Sequence, residues 1–184
     1  MRIIAGRWRG RKLTPLGKGD MANRLRPTPD RVRESLFSML TARDLIEDAR
    51  VLDLFAGTGA LGFEALSRGA AHTTFVEKGR VGQNLIRANV ALLGAEDETV
   101  LLGADATRLP AAATPCDLVF LDPPYGKGLG AQALASAASQ GWLASGAHVL
   151  WEESAPQDAP DGFAMVDQRT YGDTSVTLLR WDMA

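Results

Sequence analysis

The chain has 184 residues, 46% of them hydrophobic, and a formal net charge of −2. This length fits one domain that buries roughly 70% of its unfolded surface. Cys116 is the single cysteine, which excludes an internal disulfide, and with two isolated histidines it gives no metal-binding cluster. No apolar run reaches membrane-spanning length. We therefore expect a cytoplasmic protein without a bound metal.

The charge is distributed unevenly along the chain. Residues 1–33 hold ten of the twenty Lys and Arg residues and two acids, a balance of +8, so the remaining chain carries −10. A basic end on an acidic body is typical of a site for a polyanion. Glycines punctuate residues 3–13, where basic and apolar residues alternate, and this pattern predicts a β-hairpin. The candidate polyanion contacts are Arg7, Trp8, Arg9, Arg11, Lys12, Arg24 and Arg26; Trp8 could instead pin the hairpin.

A helix is predicted to follow residues 14–26, which are loop-like. Thr28 is the predicted N-cap and Pro29 the first helical residue. The apolar residues that follow recur with helical spacing at Val32, Leu36, Met39 and Leu40. One face of this helix should pack on the body of the protein.

The segment Val51–Leu66 predicts a strand, a glycine turn and a helix. Its turn would bring the backbone close to a small ligand at Phe55, Ala56, Gly57 and Gly59. The glycines also satisfy the dinucleotide pattern G-x-G-x-x-G, so NAD stays a possibility. Asp53 favours S-adenosylmethionine (SAM), because a carboxylate beside the turn repels a pyrophosphate and suits a ligand with an ammonium and a sulfonium.

The rest of the chain alternates strands with helices. Further strands are predicted at 72–77, 99–102, 116–121, 147–152, 163–168 and 175–181, with helices over 79–93 and up to about Gln140. This order predicts an α/β fold: an open, mostly parallel sheet of seven strands with an antiparallel edge.

Four acids end successive predicted strands, namely Asp53, Glu77, Asp105 and Asp122. Ligands of open α/β sheets bind beyond the carboxyl ends of the strands, so all four should lie at the same edge. Glu77 is the candidate acceptor for ribose hydroxyls. Asp105 could accept from an adenine amino group while the Ala106 N–H donates to the ring.

Asp122 begins the sequence D-P-P-Y, which suits chemistry on an amino group attached to a planar ring. The Asp122 carboxylate and the Pro123 carbonyl could accept the two N–H groups and orient the nitrogen. Tyr125 offers an aromatic face for a base. These three are the candidate catalytic residues.

The chain resembles the bacterial small-subunit ribosomal RNA guanine-N2 methyltransferases of the RsmD type. The resemblance rests on R-I-I-A-G-R-W-R-G-R-K-L near the start, on R-P-T-P-D-R-V-R-E-S-L-F, on D-L-F-A-G-T-G-A-L-G and on D-P-P-Y. It implies a Rossmann-like methyltransferase fold with SAM as methyl donor, and Thr28 in a segment that closes over the SAM.

The resemblance also implies that a basic N-terminal hairpin (residues 1–25) extends a catalytic core (26–184) in a single methyltransferase domain. The implied substrate is a guanine of 16S ribosomal RNA within the 30S subunit or an assembly intermediate, and the implied state is a monomer. Three alternatives stay open: an N6-adenine methyltransferase, a non-catalytic RNA-binding assembly factor, and an NAD oxidoreductase. The first stays open because D-P-P-Y recognises an amino group and not the base that carries it.

Overall fold

The computed structural model describes residues 1–15, 17 and 28–183. Within this part of the chain the strands are β1 Arg50–Leu54, β2 His72–Val76, β3 Thr99–Leu102, β4 Cys116–Leu121, β5 Leu143–Glu153, β6 Phe163–Tyr171 and β7 Thr174–Trp181. The helices are α1 Asp30–Thr41, α2 Ala60–Ser67, α3 Arg80–Leu93 and α4 Leu129–Ser139, with a short 3-10 helix at Glu96–Glu98. The predicted order of elements is confirmed.

The strands form one sheet in the order β3-β2-β1-β4-β5-β7-β6. β1 to β5 pair in parallel, whereas β7 runs antiparallel to both β5 and β6. The predicted α/β sheet with an antiparallel edge is therefore confirmed. Because β1 lies beside β4, the chain winds in opposite directions from the centre of the sheet, and this is the switch point where ligands of such folds bind.

Apolar side chains on the two faces of the sheet form two separate cores. Helices α1, α2 and α3 cover one face, which we call face A; its strand residues include Val51, Phe75, Leu118, Phe120, Leu150, Val176 and Leu178. Helix α4 covers the opposite face, which we call face B, with Leu52, Leu54, Val76, Val119, Leu121, Val149 and Trp151. The strict alternation between the faces fixes the direction of each strand side chain.

Two strand boundaries and one helix cap differ from the sequence-based expectations. β5 begins at Leu143 rather than 147, where it pairs with Cys116 before an irregularity, and β6 continues to Tyr171. The predicted Thr28 cap is wrong: Pro29 occupies the N-cap position and no side chain caps the helix. The Thr28 hydroxyl instead donates to Glu152 Oε2 at 3.4 Å.

The predicted N-terminal hairpin is a short ribbon, residues 1–13, with one antiparallel bridge between Arg2 and Lys12. Ile3 N donates to the carbonyl of Arg11 at 2.9 Å, and Leu13 N donates to that of Met1 at 3.1 Å. Among the described residues no helix combines the length and the apolar character needed to cross a bilayer.

Candidate active site

The glycine turn between β1 and α2 has a left-handed backbone at Phe55 (φ 57°), Gly57 (φ 56°) and Gly59 (φ 78°). For Phe55 this conformation costs about 1–3 kcal/mol, and such strain concentrates at functional sites. Gly57 N donates to Glu77 Oε2 at 2.8 Å, which ties the turn to the end of β2. The turn predicted to cradle a ligand is thus held in an unusual conformation by its neighbours.

Asp53 lies beneath this turn, on β1, with only 2% of its surface exposed. The N–H of Gly62 donates to its Oδ2 at 3.0 Å, and a Cβ at Gly62 would lie 3.0 Å from the same oxygen. Glycine at this position therefore lets α2 approach the strand closely. Burial, together with the charges of Asp122 and Glu77, raises the pKa of Asp53 well above its usual value.

Three further acids form a row at the carboxyl edge of the sheet, one step beyond Asp53. Asp53 is in register with Phe75 on one side and with Phe120 on the other, and Phe120 is in register with Leu150. Each of these three residues is followed, two positions later, by an acid: Glu77 after Phe75, Asp122 after Phe120 and Glu152 after Leu150. We call these three acids the carboxylate row. Alternation places them on face A, the same face as Asp53.

The D-P-P-Y loop begins at Asp122 of this row, directly after β4. Asp122 is half-buried, and burial, with the charges of Glu152 and Glu153, raises its pKa well above the usual value. Burial also raises the pKa of Tyr125 to about 12. Glu153 Oε1 accepts from Gly126 N at 3.0 Å, so the end of β5 fixes the start of the glycine-rich loop.

The predicted adenine contact, Asp105, is already engaged within the chain. Its Oδ1 accepts from Thr107 N at 3.0 Å and from Thr107 Oγ1 at 2.7 Å, and its Oδ2 accepts from Lys78 at 2.9 Å. The Lys78 hydrogen bond, followed by those of Thr107, lowers the pKa of Asp105 to about 2. Asp105 is ionised and oriented, with Ala106 buried beside it; the adenine role of both stays a prediction.

The residues predicted for SAM fit a cationic ligand. Burial is the main cause that raises the pKa values of Asp53 and Asp122, and neighbouring carboxylates raise them further: Asp122 and Glu77 for Asp53, Glu152 and Glu153 for Asp122. A ligand with an ammonium and a sulfonium would relieve the repulsion among these carboxylates, whereas a pyrophosphate would add to it. Among the described residues no group of three or more His, Cys, Asp or Glu side chains is placed to hold a metal ion.

Helix α2 carries the basic ribbon as well as the glycine turn. Glu64, which is fully buried, accepts from Ile4 N at 2.8 Å, from Ala5 N at 3.1 Å and from Arg68 Nε at 2.8 Å. An acid inside a helix thus satisfies two backbone donors of the ribbon. The ribbon is held by side-chain acceptors of α2 and not only by its own single bridge.

The other end of α2 makes a second set of ribbon contacts. Ser67 Oγ donates to the carbonyl of Ala5 at 2.6 Å and accepts from Trp8 N at 3.0 Å, and Arg7 N donates to the carbonyl of Ser67 at 2.8 Å. Gly6 lies so close that a Cβ there would be 1.7 Å from this carbonyl oxygen. Helix α2 therefore connects the glycine turn, at its N-terminus, to the ribbon that its C-terminal half binds.

The basic residues of the ribbon differ in their availability. Arg7 forms an ion pair with Glu98, with Nη1 donating to Oε1 at 2.9 Å, and its guanidinium lies 4.1 Å from the centre of the Trp8 ring. Trp8 packs against the face A core, as expected for a residue that anchors the hairpin. Exposed side chains are found at Arg9, Arg11 and Lys12. Arg24 and Arg26 lie outside the described residues.

An open cavity of about 420 Å³ lies at the other edge of the sheet, against the loop before β1 and the starts of β4 and β5. Its lining includes Asp48, Asp117 and His148. None of the candidate residues of the sequence lines it. Since ligands of open α/β sheets bind at the carboxyl edge, the candidate active site is the carboxylate row and not this cavity.

Known proteins are similar to this chain in both sequence and structure. The family model described as Conserved hypothetical protein 95 matches residues 1–180. Ribosomal RNA small subunit methyltransferase D from Escherichia coli is 44% identical over 87% of this chain and 78% of its own length. The protein of the same name from Haemophilus influenzae is 38% identical over 97% and 92%. The chain belongs to the ribosomal RNA small subunit methyltransferase D family.

Solved structures extend this family membership to the fold. One from Escherichia coli superposes with a TM-score of 0.85 at 36% identity, covering 100% of this chain and 99% of its own. A second, from Haemophilus influenzae, has a TM-score of 0.78 at 33% identity and covers 99% and 98%. A more distant RNA methyltransferase from Salinibacter ruber, in complex with S-adenosyl-L-homocysteine, shares the fold at 20% identity. The predicted Rossmann-like methyltransferase fold and the family resemblance are confirmed.

Four residues that shape this region are not among the predicted site residues. Glu152 and Glu153 end β5 as the other acids end their strands, so the same signal applied to them. Glu152 ends the strand predicted at 147–152, but neither it nor Glu153 is a predicted site residue. Glu64 and Ser67 lie within an apolar helix, and no local pattern indicates that a distant ribbon needs their acceptors.

Proposed function

We propose that this protein transfers a methyl group from SAM to the exocyclic N2 amine of a guanine in small-subunit ribosomal RNA. The observation that carries the proposal is the placement of Asp53, Glu77 and Asp122 on one face at the switch point of a methyltransferase fold. Family membership supports methyl transfer to small-subunit ribosomal RNA, because the relatives are named for that activity.

The cofactor half of the site lies over β1, β2 and β3. Asp53 would face the positive charges of SAM, Glu77 would accept from the ribose, and Asp105 with Ala106 would contact the adenine. The turn from Phe55 to Gly59 supplies the close backbone approach. Thr28 belongs to the segment proposed to cover the bound cofactor.

The acceptor half lies over β4. Asp122 would accept one N–H of the amine and the carbonyl of Pro123 the other, while Tyr125 stacks on the base. This holds the nitrogen in line with the methyl group, and positioning is the main contribution of such a site. When bound, SAM would supply the activated methyl group, whose bond to the sulfonium sulfur breaks as its bond to the nitrogen forms. As the N–C bond forms, the nitrogen loses a proton, and the raised pKa of Asp122 suits its carboxylate to receive it.

The ribbon would contact RNA phosphates through Arg9, Arg11 and Lys12. Arg7 and Trp8, which lie side by side, would complete this RNA-binding surface. These contacts position RNA without reading its sequence. A stacked guanine must be turned out of its helix to reach Asp122, at a cost of a few kcal/mol. We propose the 30S subunit or an assembly intermediate in the cytoplasm as substrate, with the enzyme acting as a monomer.

The test is transfer of labelled methyl from SAM to small subunits that lack their native modifications, followed by nucleoside analysis. We expect N2-methylguanosine as the labelled product, at one nucleotide. N6-methyladenosine would instead assign the D-P-P-Y site to adenine. Binding of the subunit without any methyl transfer would make the protein an assembly factor and refute the proposal.

A further inference from the structure

Glu152 of the carboxylate row is an acidic residue that has no role in the proposed reaction. It lies at the carboxyl end of β5 with 2% of its surface exposed. Oε2 accepts from the Thr28 hydroxyl at 3.4 Å, while Oε1 is buried and has no hydrogen-bond partner among the described residues. Buried carboxylate oxygens are nearly always satisfied, so this one indicates a donor that arrives with a ligand.

The register of the sheet places Glu152 next to the reacting group. Leu121 pairs with Trp151, so the residues that follow them, Asp122 and Glu152, are neighbours on adjacent strands. The Trp151 ring packs on face B, where a Cβ at Gly130 would lie 2.4 Å from it. Glu152 must therefore point to face A, the face of Asp122.

The order of the strands separates Glu152 from the cofactor half. β5 lies beyond β4, on the side of Asp122 that is remote from β1, β2 and β3. The proposed SAM contacts follow those three strands. Thr28, of the segment proposed to cover SAM, contacts Oε2, which leaves Oε1 for a donor on the base whose amine faces Asp122.

The chemistry of guanine supplies such a donor. Its N2 amine is bonded to the ring carbon next to N1, and N1 carries a hydrogen in guanine but only a lone pair in adenine. Two carboxylates on strands about 4.8 Å apart can accept from neighbouring N–H groups on one edge of a base. We propose that Glu152 accepts the N1–H of the target guanine and thereby selects guanine over bases without a proton at N1. This inference rests on the proposed function.

The experiment replaces the target guanine with 2-aminopurine, which keeps the 2-amino group and lacks the hydrogen at N1. Small subunits are reconstituted with ligated 16S RNA that carries either base at the mapped nucleotide, and kcat/KM for methyl transfer is measured for both. The native enzyme should prefer guanine by roughly 10- to 100-fold, because 2-aminopurine leaves the acceptor unpaired.

Two variants test whether Glu152 causes this preference. Glu152→Gln keeps the size and adds a donor that can face the N1 lone pair, so the preference for guanine should fall by roughly tenfold or more. Glu152→Ala should also lose the preference, because kcat/KM falls for guanine and stays unchanged for 2-aminopurine. Glu34→Gln, on the exposed side of α1, removes the same charge elsewhere and should leave the preference unchanged. SAM affinity, measured by calorimetry, reports that each variant is folded.

The outcomes separate this inference from the function on which it rests. Equal losses with both bases in the Glu152 variants would show a structural role and overturn the inference, while the guanine reaction of the native enzyme still stands. Absence of N2-methylguanosine with the native enzyme would refute the proposed function itself, before any comparison of bases is made.

Discussion

Glu152→Gln should stabilise the protein in a pH-dependent manner. Burial is the main cause that raises the pKa of Glu152 from 4.5 to about 7, with the Asp53 charge adding to it and the Thr28 hydrogen bond opposing it. In the unfolded chain the same group ionises near its ordinary value. The folded state therefore binds the proton more tightly, and stability falls as the pH rises from about 4.5 through 7.

The size of this effect follows from the two pKa values. At about 1.4 kcal/mol per tenfold change, the interval from 4.5 to about 7 corresponds to about 3 kcal/mol lost above pH 7. Glutamine does not titrate, so the variant escapes this loss. Its gain in the free energy of unfolding over the native protein should be about 2–3 kcal/mol larger at pH 8 than at pH 5.

Urea unfolding followed by tryptophan fluorescence measures this difference. With a slope of about 2 kcal/mol per molar urea, the variant should gain about 1 M in midpoint at pH 8 relative to its gain at pH 5. Glu34→Gln controls for the loss of one negative charge. A gain for Glu152→Gln that is the same at both pH values would refute the reasoning, because the pH dependence is the signature of a buried carboxylate forced to ionise.

Three further substitutions test other parts of the site. Gly6→Ala should lower the thermal midpoint by several degrees, because its Cβ meets the Ser67 carbonyl and its φ is 81°; an unchanged midpoint would contradict the docking of the ribbon. Arg9→Ala should weaken RNA binding and lower the salt slope by about one, with SAM affinity retained; filter binding at several salt concentrations measures both. Glu77→Ala should weaken SAM binding, measured by calorimetry, at least tenfold, since it removes the proposed ribose acceptor and leaves Gly57 N without its carboxylate partner; unchanged affinity would remove Glu77 from the proposed site.

The sequence predicts the sheet well because its signals are local. The central strands β1 and β4 are largely apolar runs, and glycines end helices where a left-handed backbone is needed, as at Gly94 with φ 64°. The carboxyl-edge acids follow from the strand ends and the parallel topology. Asp53, Glu77 and Asp122 could thus be placed together without any knowledge of distances.

The remaining features depend on contacts between distant parts of the chain. Thr28 looks like a helix cap locally, yet its hydroxyl donates to Glu152, 124 residues away. Glu64 is an acid within a helix, yet it is fully buried, with its carboxylate bonded to the ribbon. Arg7 looks free for a polyanion, yet it pairs with Glu98. Such pairings follow from tertiary packing, which no local pattern encodes.

Asp122→Asn offers the most direct test of the claim that this site holds an amine for methyl transfer. The substitution keeps the shape of the side chain and removes the carboxylate that would accept the N–H and the proton. Methyl transfer to unmodified small subunits is measured together with SAM affinity and subunit binding. We expect N2-methylguanosine from the native enzyme and a loss of at least 100-fold in the variant, with both affinities retained. Undiminished transfer by Asp122→Asn would contradict the account.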